Sequence, residues 1–325
     1  MMKKYLNVML LSSLLVIPVP VYAEDPLEKP RSLDDRVHEV LDHYCMSDDT
    51  VAISYYNTVS RETYKLNDDT YMFAASTYKL PLNMYYYIKQ NAGELNDDSI
   101  INGYRLADAH YLSIVNSDND SSEALMNGLG SYKTYKDLML TTFGDDYYRD
   151  VSHADPMLYQ DNDYPAGFLM NVLQYLYTHQ ADFPELLGYM SSPDQINAVA
   201  KTIPEEITVY QKQGWYTNVN TVAEIVMADQ PYLAVILIDD PNGNSVNALA
   251  NLNSTIYAYA QETAAYMRSV VPGTKARETS VKTSKTEGMT RLHIQIDLFK
   301  ILVLYGTIVL LLVDIVLVIR SIRNQ

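Results

Sequence analysis

The chain has 325 residues, 48% of them apolar, which is enough to bury the core of one large domain and excludes a disordered chain. Its 40 acidic residues against 24 basic ones leave a formal net charge of −16; the stretch 24–272 alone holds 36 acidic and 14 basic residues, a net −22 that speaks against nucleic acid as a partner. The single cysteine, Cys45, excludes an internal disulfide and lies too far beyond the N-terminal leader to be a lipoprotein cysteine.

Residues 1–23 read as a signal peptide: Lys3 and Lys4 precede an apolar run from Val8 to Val19, and Val21-Tyr22-Ala23 suits a signal peptidase. The extracytoplasmic domain is expected over residues 24–272. Leu33, Val37, Leu41 and Tyr44 fall on one helical stripe with Val40 beside it, predicting an amphipathic helix. Thr50 to Tyr56 and Arg61 to Leu66 predict two strands joined by a turn. Ser76 to Gln90 predicts a helix ended by Gly93, and from there to Gln180 the chain reads mostly as helices broken by polar loops.

Strand patterns return at Ile207 to Gln213, Thr221 to Met227 and Tyr232 to Ile238, the last closed by the turn Asp239-Asp240-Pro241-Asn242-Gly243. Ser245 to Met267 predicts a long helix with Leu249, Leu252, Ile256, Ala260 and Ala264 along one face. Strands near both ends with helices between them predict an α+β domain whose strands share one antiparallel sheet. Residues 273–296 form a polar linker rich in Lys, Thr and Ser. Ile301 to Ile319 is a 19-residue run in which only Asp314 is charged, long enough for a bilayer core of about 30 Å. A transmembrane helix is expected over 297–319, and Arg320 and Arg323 place the stub 320–325 on the cytoplasmic side.

The residues that carry chemistry form an ordered set. Ser76 stands three residues ahead of Lys79 at a helix start, where backbone N–H groups are free to serve an anion and the lysine amine lies one turn from the hydroxyl. A serine and a lysine at that spacing are a weak signal alone. Ser117-Asp118-Asn119 follows a helical stretch, and Lys212-Gln213-Gly214 ends a predicted strand. The six histidines show no i, i+4 pair of the kind a helical metal site uses, and no metal or cofactor is expected.

With these three motifs in order, the chain resembles the class A β-lactamase and penicillin-binding family of serine acyl enzymes, which carry S-x-x-K, S-D-N and K-T-G. The resemblance covers roughly Leu33 to Met267 and is most specific over Ala74-Ala75-Ser76-Thr77-Tyr78-Lys79. It implies a five-stranded antiparallel sheet flanked by terminal helices, an all-helical subdomain, and a site between them. It also implies that Ser76 is the nucleophile, Lys79 its proton acceptor and Ser117 the donor to the leaving nitrogen. Asn119 would hold the substrate amide, Lys212 the substrate carboxylate, and the backbone N–H groups of Ser76 and Trp215 the oxyanion. Gly214 would let substrate approach the strand edge. The implied partner is a small β-lactam or a peptidoglycan-derived peptide.

Two departures stand against the family pattern. Gln213 occupies the place of the threonine hydroxyl, and no glutamate occurs between Ser131 and Pro184, where the deacylating one is expected. Pro165, with Asp161 four residues earlier, resembles the end of that loop, which leaves Asp150, His153 and Asp155 as the titratable groups to activate water or to order the loop. The sequence thus supports a membrane-anchored serine hydrolase forming an acyl-Ser76 intermediate. The alternative is a penicillin-binding or non-catalytic descendant of the fold that acts as a surface-binding module.

Overall fold

The computed structural model describes residues 27–144, 162–194 and 199–270. In chain order these form α1 (Leu33–His43), β1 (Val51–Asn57), β2 (Thr63–Leu66), β3 (Tyr71–Phe73), a 3₁₀ turn (Ala75–Tyr78), α2 (Lys79–Asn91), β4 (Ile100–Ile101) and β5 (Tyr104–Arg105). There follow α3 (Leu106–Ile114), α4 (Asn119–Gly128), α5 (Tyr132–Phe143), β6 (Asp163–Pro165), α6 (Ala166–Thr178) and α7 (Pro184–Met190). The last elements are β7 (Val209–Tyr216), β8 (Val219–Val226), β9 (Tyr232–Asp239) and α8 (Ser245–Val270).

Strands from both ends of the domain share one five-stranded sheet in the order β2-β1-β9-β8-β7, antiparallel throughout. Its inner strands are covered on both faces, which is why Tyr232 to Ile238 reads as a nearly unbroken apolar run. Side chains alternate between the faces. Val222, Val226, Ala234, Ile236 and Ile238 pack in one core with Leu33, Val37 and Leu41 of α1 and with Leu249, Leu252 and Ile256 of α8. Ala223, Ile225, Leu233, Val235 and Leu237 pack in the other core against α2, α3, α5, α6 and α7. The α+β architecture with a helical subdomain on one sheet face is therefore the one expected.

Helix starts follow local capping chemistry. The hydroxyls of Ser32 and Ser131 accept from the backbone N–H groups of Asp35 and Thr134, each at 3.1 Å, where α1 and α5 begin. Three details differ from the sequence reading. Strand β7 runs on to Tyr216 rather than stopping at Gln213, so Lys212 and Gly214 both lie inside the strand. The segment at Ser76 is a 3₁₀ turn, and the α-helix proper starts at Lys79. The short pair β3 and β6 was not expected; its Tyr71 sits opposite Pro165.

One polar group stands out in the core. Glu224 on β8 is fully buried, neither carboxylate oxygen has a hydrogen-bond partner, and its cross-strand neighbour Gln211 on β7 is likewise buried with an unpartnered amide. Burial alone pushes the Glu224 carboxyl up to about 8.

No helix among the described residues is long and apolar enough to cross a membrane. The signal peptide, linker and transmembrane helix read from the sequence lie outside the described residues.

Candidate active site

Ser76 is held by a backbone that is fixed on both sides. Ala75, just before it, has φ +46°, a left-handed conformation that costs an L-residue about 1–2 kcal/mol. The surroundings enforce it. The carbonyl of Ala74 accepts from the hydroxyls of Thr77 at 2.6 Å and Thr221 at 2.9 Å. Asn162 clamps the same turn: its carbonyl accepts from Ala74 N–H at 2.8 Å and its Nδ2 donates to the Ala75 carbonyl at 2.7 Å.

Edge strand β7 presses directly on this turn at Gly214. A Cβ there would lie 2.5 Å from the Ser76 nitrogen, 2.8 Å from Ala75 Cβ and 2.4 Å from Thr221 Oγ1. The first of these is backbone of a doubly clamped turn and cannot yield. Gly214→Ala is therefore expected to destabilise the fold by about 1–3 kcal/mol and to displace Ser76 from β7. A lower urea midpoint is the expected result, and an unchanged one counts against this contact.

Lys79 opens α2 and is wholly buried. Its Nζ donates to the carbonyls of Ser117 at 2.5 Å and Asp118 at 3.1 Å and to Asn119 Oδ1 at 2.8 Å. None of these three bonds goes to the Ser76 hydroxyl, so the amine expected to take the serine proton is held against the S-D-N segment. That segment is shaped to receive it. Ser117 is left-handed, with φ +54°, and Asp118 caps α4 by accepting from Ser121 N–H at 2.7 Å. Those hydrogen bonds from Ser121, with the charge of Lys79 secondary, hold the Asp118 carboxyl below its usual range.

Lys212 reaches the same serine from the sheet. Its Nζ, 2% exposed in residue terms, donates to Ser117 Oγ at 2.9 Å and to the Gln213 carbonyl at 3.1 Å. Ser117 thus bridges the two amines, accepting from Lys79 through its carbonyl and from Lys212 through its hydroxyl. Among the described residues neither lysine has a carboxylate in salt-bridge range. Burial lowers Lys79 to about 8, against weaker opposing pulls from Asp118 and Glu123. Burial, and then the neighbouring charge of Lys79, lowers Lys212 to about 7. Two amines that exchange protons near neutral pH can serve one as a base and the other as a cation for an anionic substrate.

A second tier of polar residues, missed by the sequence reading, fixes this arrangement. Asn83 Nδ2 donates to the Lys79 carbonyl at 2.7 Å and to Ser113 Oγ at 2.8 Å. Ser122 Oγ donates to the Asp118 carbonyl at 2.5 Å and lies 2.9 Å from Ser113 Oγ. His110 places Nδ1 2.7 Å from Asn83 Oδ1 and stacks on Tyr87; burial pushes its imidazole down to about 3. The available signal was polar residues on helix faces that are otherwise apolar.

The sequence-predicted residues meet at one cavity of about 470 Å³, lined by Ser76, Ser117, Asn119, Lys212, Gly214 and Trp215 together with Val115, Asn116, Gln213, Tyr216, Asn220 and Val246. Lys79 lies beneath it. No carboxylate is among these lining residues. The register sets Gln213 opposite Val222 and Lys212 opposite Ala223, so the two side chains leave opposite faces of β7. Trp215 is 67% exposed at the cavity and not core. Asp150, His153, Asp155 and Asp161 lie outside the described residues. No cluster of histidine, cysteine and carboxylate groups among the described residues is arranged to hold a metal ion.

This fold and motif set define a class, and the comparisons agree with it. The model of the beta-lactamase enzyme family matches residues 32–260, and the chain belongs to that family. Solved structures share the fold at low identity. A beta-lactamase from Chitinophaga pinensis is 16% identical with a TM-score of 0.59, covering 71% of this chain and 100% of its own. One from Burkholderia vietnamiensis is 14% identical with a TM-score of 0.59, covering 72% and 98%. A reconstructed class A beta-lactamase of the last common ancestor of Gram-negative bacteria is 15% identical with a TM-score of 0.58, covering 70% and 99%. No curated protein matches the chain.

Proposed function

We propose that the domain is a serine hydrolase of the β-lactamase type that forms an acyl-enzyme at Ser76 with a β-lactam or a peptidoglycan-like amide. The observation that carries this reading is the meeting of Ser76, Ser117, Asn119 and Lys212 at one cavity, with buried Lys79 beneath it. In the proposed step Ser76 Oγ bonds to the carbonyl carbon while its proton passes to the Lys79 amine, once that amine is neutral. The carbon–nitrogen bond then breaks, and the leaving nitrogen takes a proton through Ser117 Oγ. Lys212 attracts the substrate carboxylate, and Ser76 N–H, against the edge of β7, faces the developing oxyanion together with that of Trp215. Residues 1–23 and 297–319 belong to the same proposal, as the signal peptide and anchor that hold the domain outside the cytoplasm.

Incubation with a fluorescent penicillin, followed by denaturing electrophoresis and mapping of the labelled peptide, tests the reading. A covalent adduct on the peptide that contains Ser76 is expected; a chain that stays unlabelled refutes it. A second reading is favoured by Gln213 in the place of threonine and by the absence of glutamate between Ser131 and Pro184. In that case the adduct forms and persists, and the chain acts as a penicillin-binding protein. Turnover of a chromogenic cephalosporin by the purified domain separates the two.

A further inference from the structure

We propose that Glu123 is the general base that activates the water which releases the acyl group from Ser76. This rests on the acylation reading and goes beyond it to the step that follows, for which the stretch between Ser131 and Pro184 holds no glutamate.

Hydrolysis of an ester at Ser76 needs a group that takes a proton from a water beside the acyl carbon. Among the described residues two carboxylates act on the charge of the Lys79 amine, those of Asp118 and Glu123. Asp118 is committed elsewhere, because its carboxylate accepts from Ser121 N–H at 2.7 Å and caps α4. Glu123 is exposed to solvent, and no hydrogen bond or ion pair holds its carboxylate among the described residues. Its charge also reaches the phenol of Tyr78, the residue just before Lys79, whose ring lies 5.9 Å from the Lys79 amine.

Helix α4 sets the geometry. Glu123 follows Asn119 by four residues and so shares its helix face. Asn119 Oδ1 accepts from the Lys79 amine at 2.8 Å. Long helical side chains lean toward the helix start, which brings a carboxylate at position 123 back over Asn119 and toward that amine. Glu123 nevertheless makes no ion pair with Lys79, and a gap of that kind admits a bridging water. A direct ion pair would hold Lys79 protonated and block its use in acylation. A carboxylate one water away can serve the second step without disabling the first.

In that step the water oxygen bonds to the acyl carbon while its proton passes to the Glu123 carboxylate. The bond from that carbon to Ser76 Oγ then breaks, Ser76 Oγ takes a proton from the Lys79 ammonium, and Lys79 recovers one from Glu123. The products are the hydrolysed acid, the free serine and ionised Glu123.

The test labels full-length wild type and Glu123→Gln with a fluorescent penicillin, measures the rate of labelling, removes the excess and follows loss of the adduct by denaturing electrophoresis. Release is expected to slow by about a hundredfold or more in the variant, the contribution of a positioned base. Formation of the adduct at pH 7 should hold its rate or quicken, because Glu123 is one of the charges that keep Lys79 protonated. A fall in both rates together marks a disturbed site and overturns the assignment. Equal release from the two proteins, including an adduct that persists in the wild type, overturns the role of Glu123 and leaves acylation intact. A chain that takes no label in either form overturns the acylation reading and the role of Glu123 with it.

Discussion

Ser76→Ala is expected to abolish covalent labelling, and Lys79→Ala to slow it by about 10²- to 10⁴-fold, the usual contribution of a positioned general base. The pH dependence follows from the two lysines. In the resting site Lys79 donates to three oxygens, the pattern of an ammonium. With its pKa lowered from 10.5 to about 8, roughly one molecule in ten carries it neutral at pH 7. Acylation at saturating substrate is therefore expected to rise about tenfold per pH unit well below 8 and to level off above it. Lys212, lowered to about 7, loses its charge on the way. Apparent affinity for a carboxylate-bearing substrate should weaken over the interval in which the saturated rate still climbs. Stopped-flow labelling from pH 5.5 to 9.5 resolves the two curves, and a flat saturated rate would remove Lys79 as the base.

Glu224→Gln is expected to stabilise the fold at pH 8 and to do little at pH 4.5. The carboxyl has a pKa of about 8 in the folded chain against 4.5 for the unfolded reference. Below the unfolded value both states are protonated, and the full stability is present. As pH rises toward 8 the unfolded chain releases this proton and the folded chain keeps it, so stability is lost at up to about 1.4 kcal/mol per pH unit, several kcal/mol in all. The amide keeps the shape and removes the titration. Burial of an unpartnered carboxyl beside Gln211 is the physical cause. Urea midpoints of the two proteins should diverge steadily between pH 5 and 8; parallel curves would show that Glu224 is not the group responsible.

The sheet was legible because its inner strands are apolar runs bounded by turn residues, and α1 and α8 because their stripes recur at helical spacing. The extent of β7 was not, since the strand pattern reads only as far as Gln213. Tertiary contact reverses that reading: Gly214 sits in the strand because the Ser76 backbone leaves no room for a Cβ. β3 and β6 are each three residues long, too short for a period to show. The three motifs named the residues that line the cavity but not the atoms they would meet. That the Lys79 amine turns to Ser117, Asp118 and Asn119 depends on a left-handed serine and on Asn83 and Ser122, single polar residues whose roles exist only once α2, α3 and α4 have packed.

The register of the sheet also sets an order of assembly. Val51 of β1 pairs with Ile238 of β9, so the first strand gains its long partner only when nearly the whole domain exists. Until then β1 has only the four-residue β2 beside it, and a row of unpaired backbone groups between largely apolar side chains lies open. Ribosomes must finish β9 before that edge can close, and a pairing of such long sequence separation is slow to form. In the finished molecule β1 is an interior strand, and that open edge is covered by β9.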